Sequence, residues 1–255
     1  MTNTQNEKTS QWLLALESST NQGGAALLEN GVLKDEIPLE KGLRHGRDLM
    51  PAARSLMERH NLGPRDIGIV AVSTGPGSYT GLRVGVMSAK AFCYGSGCRL
   101  IGVSSLAALA ASHALGALVP AGTVMMTLVE ARRDEVYAGL YRMEEDGSTA
   151  ALRADAAITP EEAAMRYREI VTGGQACLAL GTAFAAYEKL FAGIADFSPV
   201  PVAVRAAGVG LMAAIKARRN EFDDALSLQP IYLRRDEHSD WRHDELIKQS
   251  ASKGT

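Results

Sequence analysis

Ser73-Thr74-Gly75-Pro76-Gly77-Ser78-Tyr79-Thr80-Gly81-Leu82-Arg83-Val84-Gly85-Val86-Met87-Ser88-Ala89-Lys90 is the stretch on which the fold turns. Ahead of it, the apolar run from Ile67 to Val72 predicts a buried strand. Gly-Pro-Gly then marks a turn, because glycine tolerates backbone angles that other residues resist and proline fixes its own. Ser78 or Thr80 can cap a following helix by accepting a free backbone N–H. A glycine-rich strand-to-helix turn has the form of a phosphate cradle, since helix N-terminal amides attract anions. Neither familiar fingerprint fits, however. No lysine stands where a P-loop requires one, and Thr80 occupies the third glycine position of the dinucleotide motif.

The helix itself carries a second signal. Gly81, Gly85, Ser88 and Ala89 recur at helical spacing, so one face is nearly bare and another backbone can approach it closely. Two readings fit this pattern: packing against the chain's own sheet, or contact with a helix of another chain.

Size and charge narrow the class. A chain of 255 residues, 46% hydrophobic and 22% charged, supports one large or two modest domains with real cores. Its net charge of −2 gives no broad electrostatic grip on nucleic acid. Cys93, Cys98 and Cys177 have no zinc-like spacing, and three cysteines cannot all pair, so reduced thiols in a cytoplasmic protein are expected. The first eleven residues are polar and predict a flexible lead-in rather than a signal peptide.

Outward from the decisive stretch, the pattern predicts an α/β protein. Trp12 to Leu16, Ala25 to Leu28 and Val32 to Leu39 predict three strands, with Asn30-Gly31 as a type I′ hairpin turn. A helix follows over Gly46 to His60, with Leu49, Ala53, Leu56 and Met57 on one face. Arg99 to Val103 predicts a strand, and Ser104 caps an alanine- and leucine-rich helix. The second half repeats the theme: strands over Thr123 to Glu130 and Glu135 to Met143, then a helix start at Thr159-Pro160-Glu161-Glu162. A short strand at Cys177 to Leu180, a helix over Ala183 to Phe191, a loop at Pro199 and Pro201, and a helix over Ala206 to Arg219 complete it. The order of elements restarts near residue 110, giving an N-terminal lobe over 12–110 and a C-terminal lobe over 111–235, whose helix near 206–219 can pack back on the N-terminal lobe, with flexible tails at 1–11 and 236–255.

Candidate chemistry is sparse. Glu17, Ser18, Ser19 and Thr20 end the first strand, where nucleotide-binding sheets place metal and phosphate contacts, but serine stands where such a loop usually has glycine. Arg132 and Arg133, in the turn between two strands, are candidates for a polar contact to a partner or to tRNA. The five histidines are scattered or lie in the charged tail, so no metal ligand set is expected. Neither Gly-x-Ser-x-Gly nor His-Glu-x-x-His is present.

Leu14 to Thr20, Ser73 to Lys90, Val103 to Leu106, Glu130 to Tyr137 and Tyr232-Leu233-Arg234 together resemble the bacterial TsaB (YeaZ) family, in order and spacing from about residue 12 to 235. The resemblance implies an actin/Hsp70/sugar-kinase-like (ASKHA) fold, with two related lobes each built on a mixed sheet flanked by helices. It also implies the non-catalytic partner of TsaD, which with TsaE transfers a threonylcarbamoyl group from its adenylate to an adenosine beside the anticodon of tRNA. Two departures stand out. The family usually begins Asp-Thr-Ser-Thr, against Glu17-Ser18-Ser19-Thr20 here; it commonly has Asp-Ala-Arg-Arg-Gly-Glu, against Glu130 and Asp134 at the acid and the glycine. The longer acid argues against a nucleotide contact.

A scaffold subunit of tRNA N6-threonylcarbamoyladenosine synthesis is therefore expected, with no catalytic residue, no metal and no cofactor beyond a weak ATP or ADP contact inside the complex. Its expected partners are a TsaD-like subunit and a TsaE-like ATPase, with tRNA reached through the complex and a homodimer when the partner is missing. The expected interface comprises Gly81, Arg83, Gly85, Ser88, Ala89 and Phe92 on one helix, with Leu49, Ala53 and Met57 on its neighbour. Gly85→Leu is expected to abolish docking with the fold intact. The rivals are an independent ATP-dependent kinase or hydrolase of the same fold and an M22-type peptidase.

Overall fold

Successive side chains of Trp12–Glu17 (β1) point to opposite faces, and both sets are buried: Leu13 and Ala15 in one core, Leu14 and Leu16 in another. A central strand covered on both sides requires this continuous apolar run. The computed structural model describes residues 11–40, 45–131, 134–171, 176–194, 196–197 and 202–233. Nearly all of the polar lead-in, the loop at Pro199 and Pro201, and the charged C-terminal run read from the sequence lie outside the described residues.

Gly24–Glu29 (β2) and Val32–Pro38 (β3) continue from β1 as an antiparallel meander. Their hairpin has Asn30 at φ 53° and Gly31 at φ 82°, the two positive values that a type I′ turn demands. Ile67–Gly75 (β4) and Arg99–Ser104 (β5) then add parallel on the other side of β1, giving the order β3-β2-β1-β4-β5. His45–Arg59 (α1) and Tyr79–Ser96 (α2) cover one face of this sheet.

The second sheet has the same wiring. Val124–Glu130 (β6), Val136–Met143 (β7) and Thr149–Ile158 (β8) form an antiparallel meander, and Cys177–Leu180 (β9) and Asp196–Phe197 (β10) extend it in parallel. The order β10-β9-β6-β7-β8 is the first sheet's order read from the other edge. Pro160–Ile170 (α4) and Phe184–Phe191 (α5) pack on this sheet. At the start of α4, Thr159 Oγ1 accepts the Glu162 N–H at 3.2 Å. Two copies of one mixed-sheet unit make this an α/β protein of the ASKHA fold. β8 was not predicted: its Ala-rich sequence has weak β propensity, and pairing with β7 rather than local preference makes it a strand.

Two helices close the remaining face of the first sheet. Ser105–Ala114 (α3) is buried from Ser105 through Ser112, and contacts both the first-lobe core and the β6–β7 side of the second. A helix apolar all round belongs in an interior. Ala206–Arg218 (α6) returns to the first sheet, with Val209, Ala213 and Ala214 in the core of β1, β2 and β4. Beyond it the chain runs back along the first lobe. Asp223 N–H donates to the Leu100 carbonyl at 2.9 Å, and Ile231 N–H to the Thr74 carbonyl at 2.7 Å.

Candidate functional site

The end of β1 is where the sequence places chemistry, and the structure buries it. Glu17, Ser18 and Ser19 are all inaccessible. Glu17 Oε1 accepts the Ser19 N–H and the Ser19 Oγ–H, each at 2.6 Å, while Oε2 is buried without a hydrogen-bond partner. Burial pushes the Glu17 carboxyl up, and the Ser19 and Ser73 hydroxyls pull it the other way. A carboxyl raised on folding contributes stability below its ordinary value of 4.5 and loses it as pH rises through the folded value. Glu17→Gln is therefore expected to remove part of the stability loss between pH 5 and pH 8. Urea denaturation at the two pH values checks this; an unchanged difference would show that Glu17 is not the group responsible.

The Gly-Pro-Gly turn lies directly on this loop. Ser78 N–H donates to the Ser19 carbonyl at 2.7 Å, and Ser18 Oγ–H to the Gly81 carbonyl at 2.8 Å. Ser78, rather than Thr80, caps α2, its Oγ accepting the Gly81 N–H at 3.3 Å. A Cβ on Gly81 would run into the Ser18 carbonyl oxygen, and one on Gly85 into Ser18 Oγ with Val72 Cγ2 at 3.3 Å. The glycines are there because β1 and α2 meet almost backbone to backbone. The Ser19 amide is engaged by Glu17 and the Ser78 amide by Ser19, so these two amides are already spent inside the chain. Thr20 is half-buried and turns back on its own loop, its Oγ1–H donating to the Gln22 carbonyl at 3.1 Å.

The expected interface residues separate into two groups. Gly81, Gly85 and Ala89 are buried on the sheet side of α2, and Leu49, Ala53 and Met57 lie in the core beneath α1. These six therefore do not line an open face; at Gly81 and Gly85 the bare stripe is already filled by Ser18 and Val72. Arg83 is exposed, and Ser88 and Phe92 are half-buried.

An open face lies on the opposite side of α2, and it is apolar. Tyr79, Met87 and Tyr94 are 48%, 61% and 89% exposed. The returning C-terminal segment adds Leu226, Ile231 and Tyr232 beside them. The two elements are tied together: Lys90 Nζ donates to the Leu226 carbonyl at 2.9 Å, and the Tyr79 and Tyr232 rings stand 5.1 Å apart. The Arg83 guanidinium sits 4.1 Å over the Tyr79 ring and donates to the Tyr232 hydroxyl at 3.1 Å. Of the nine large hydrophobic residues exposed among the described residues, these two elements carry six. Such clustering departs from the singly scattered apolar residues of an ordinary surface. The sequence held a signal for it, since Tyr79, Arg83, Met87 and Tyr94 follow helical spacing opposite the glycines.

At the junction of the lobes, Asp155 of β8 accepts from Ser104 Oγ–H and from the Tyr141 hydroxyl, both at 2.5 Å. Burial pushes the Asp155 carboxyl up, and these hydroxyls oppose it. The same Ser104 Oγ caps α3, so one side chain ties a helix start to the other lobe's sheet. In the β6–β7 turn Asp134 adopts φ 60°, while Arg132 and Arg133 lie outside the described residues. Among the described residues, no cluster of three His, Cys, Asp or Glu could hold a metal ion, and no helix is long and apolar enough to cross a membrane.

The family model of TsaD, tRNA N6-adenosine threonylcarbamoyltransferase, matches residues 27–228. The chain is 38% identical over 133 residues to the tRNA threonylcarbamoyladenosine biosynthesis protein TsaB of Bacillus subtilis, covering 51% of this chain and 55% of that protein. It is 29% identical over 150 residues to TsaB of Escherichia coli, covering 58% of this chain and 63% of that protein. The matches thus span somewhat over half the length of these curated relatives. A crystal structure of an uncharacterized protein with similarity to peptidase YEAZ from Pseudomonas aeruginosa superposes with a TM-score of 0.75 at 25% identity, covering 88% of this chain and 100% of that one.

Proposed function

The chain belongs to the family of the tRNA N6-adenosine threonylcarbamoyltransferase TsaD, within its TsaB (YeaZ) group, and from that premise we propose that it is a docking subunit in tRNA threonylcarbamoyladenosine synthesis. It serves a TsaD-like catalytic chain rather than carrying out the transfer itself. The observation that carries this reading is the exposed apolar face formed by Tyr79, Met87 and Tyr94 of α2 with the segment ending at Tyr232. The first loop supports it: Glu17 is buried with one carboxylate oxygen held by Ser19, and the Ser19 and Ser78 amides are engaged inside the chain. A TsaE-like ATPase joins through the catalytic chain, and tRNA is reached through the assembly. Without its partner the chain covers the same face with a second copy of itself.

Reconstitution tests the proposal. With a TsaD-like subunit, a TsaE-like ATPase and substrate tRNA, nucleoside analysis is expected to show the modified adenosine only when this chain is present. Equal yield without the chain would overturn the reading, as would ATP hydrolysis or kinase turnover by the chain alone.

A further inference from the structure

α2 ends at a left-handed cap, and that cap brings two thiols together. Gly97 adopts φ 77° and its N–H donates to the Cys93 carbonyl at 2.8 Å, so the chain reverses and Cys98 folds back over the last turn of the helix. Cys93 Sγ and Cys98 Sγ lie 2.9 Å apart, less than 1 Å beyond the ~2.05 Å of a disulfide bond. The two residues differ in access. Cys93 is 4% exposed and packs in the core under α2, whereas Cys98 is half-buried between the exposed Gly97 and Arg99. The third cysteine, Cys177, is buried in β9 in the core of the other lobe.

We propose that Cys93 and Cys98 form a reversible dithiol–disulfide site, with Cys98 as the attacking thiol and Cys93 as the resolving one. The hydrogen bond with Cys93 favours the Cys98 thiolate and lowers its pKa, while Cys93 is pushed up and keeps its proton. The oxidant is a small-molecule disulfide, R–S–S–R. The Cys98 thiolate attacks one of its sulfurs, forming Cys98–S–S–R and releasing one RS⁻, which takes up a proton. Cys93 Sγ then attacks Cys98 Sγ, and its proton leaves with the second RS⁻. Two protein thiols are oxidised, one external disulfide is reduced to two thiols, and no group stays on the protein. The bond ties the C-terminal turn of α2 to the start of β5 at Arg99.

Incubation of the full chain with oxidised glutathione, then alkylation under denaturing conditions and intact mass analysis, tests the site. The expected product has lost about 2 Da and two alkylatable thiols. Cys177 remains alkylatable, and excess dithiol restores the other two. Cys93→Ala is expected to stop at a glutathione adduct on Cys98, and Cys98→Ser to give neither adduct nor crosslink. A stable adduct on the unaltered chain, or three free thiols after incubation, would overturn the proposal. Those two outcomes are read without either variant, so a substitution that disturbs folding leaves the test intact.

Discussion

Gly81→Ala is expected to destabilise the chain by about 3 kcal/mol or more, a large share of a total stability of about 5–15 kcal/mol. The added Cβ would meet the Ser18 carbonyl oxygen, a backbone atom fixed at the end of β1, and neither strand nor helix can give way cheaply. Gly85→Ala is expected to cost less, because what it meets is the Ser18 hydroxyl rather than the backbone. The two substitutions separate in combination with Ser18→Ala. Removing the hydroxyl should recover most of the loss at Gly85 and almost none at Gly81. Urea midpoints of the four variants decide the matter, and equal rescue at both glycines would refute the backbone contact. The same geometry corrects the expectation that Gly85→Leu spares the fold. A leucine there displaces Ser18 and Val72 before any partner is involved, so lost copurification in that variant would report unfolding.

The second large effect is expected on the open side of α2. Met87→Glu and Tyr94→Asp, separately or together, should change stability by no more than about 0.5 kcal/mol, because both side chains project into solvent. Affinity for a TsaD-like partner should fall about 100-fold in the double variant, roughly 2.7 kcal/mol, since each substitution places a carboxylate in a desolvated apolar contact. Arg54→Glu on the exposed face of α1 is the control and should alter affinity by less than about threefold; it breaks only an exposed pair with Glu58. Calorimetric titration against the partner measures all three. Unchanged affinity in the Met87 and Tyr94 variants would remove this face as the docking surface and leave family membership untouched. Light scattering of the same variants bears on self-association, because a second copy seated on this face would be lost with them.

Local chemistry made much of this protein legible from its sequence. Asn30-Gly31 determined the first hairpin because few other pairs accept two positive φ values, and Ser104 and Thr159 determined helix starts because their hydroxyls satisfy amides that the helix cannot. The apolar runs at β1 and β4 determined the centre of a sheet buried on both faces, and the motifs from Leu14 to Arg234 pointed to the family. Tertiary structure decided what depends on atoms distant in the chain. β8 is a strand because β7 pairs with it, and the segment after α6 belongs to the first lobe because Asp223 and Ile231 bond to Leu100 and Thr74. It also decided which side of α2 is open. Periodicity showed that Gly81 and Gly85 share a face and that a backbone could approach it, but not whose. The Ser18 carbonyl, held at the end of β1, occupies that face and turns Tyr79, Met87 and Tyr94 outward.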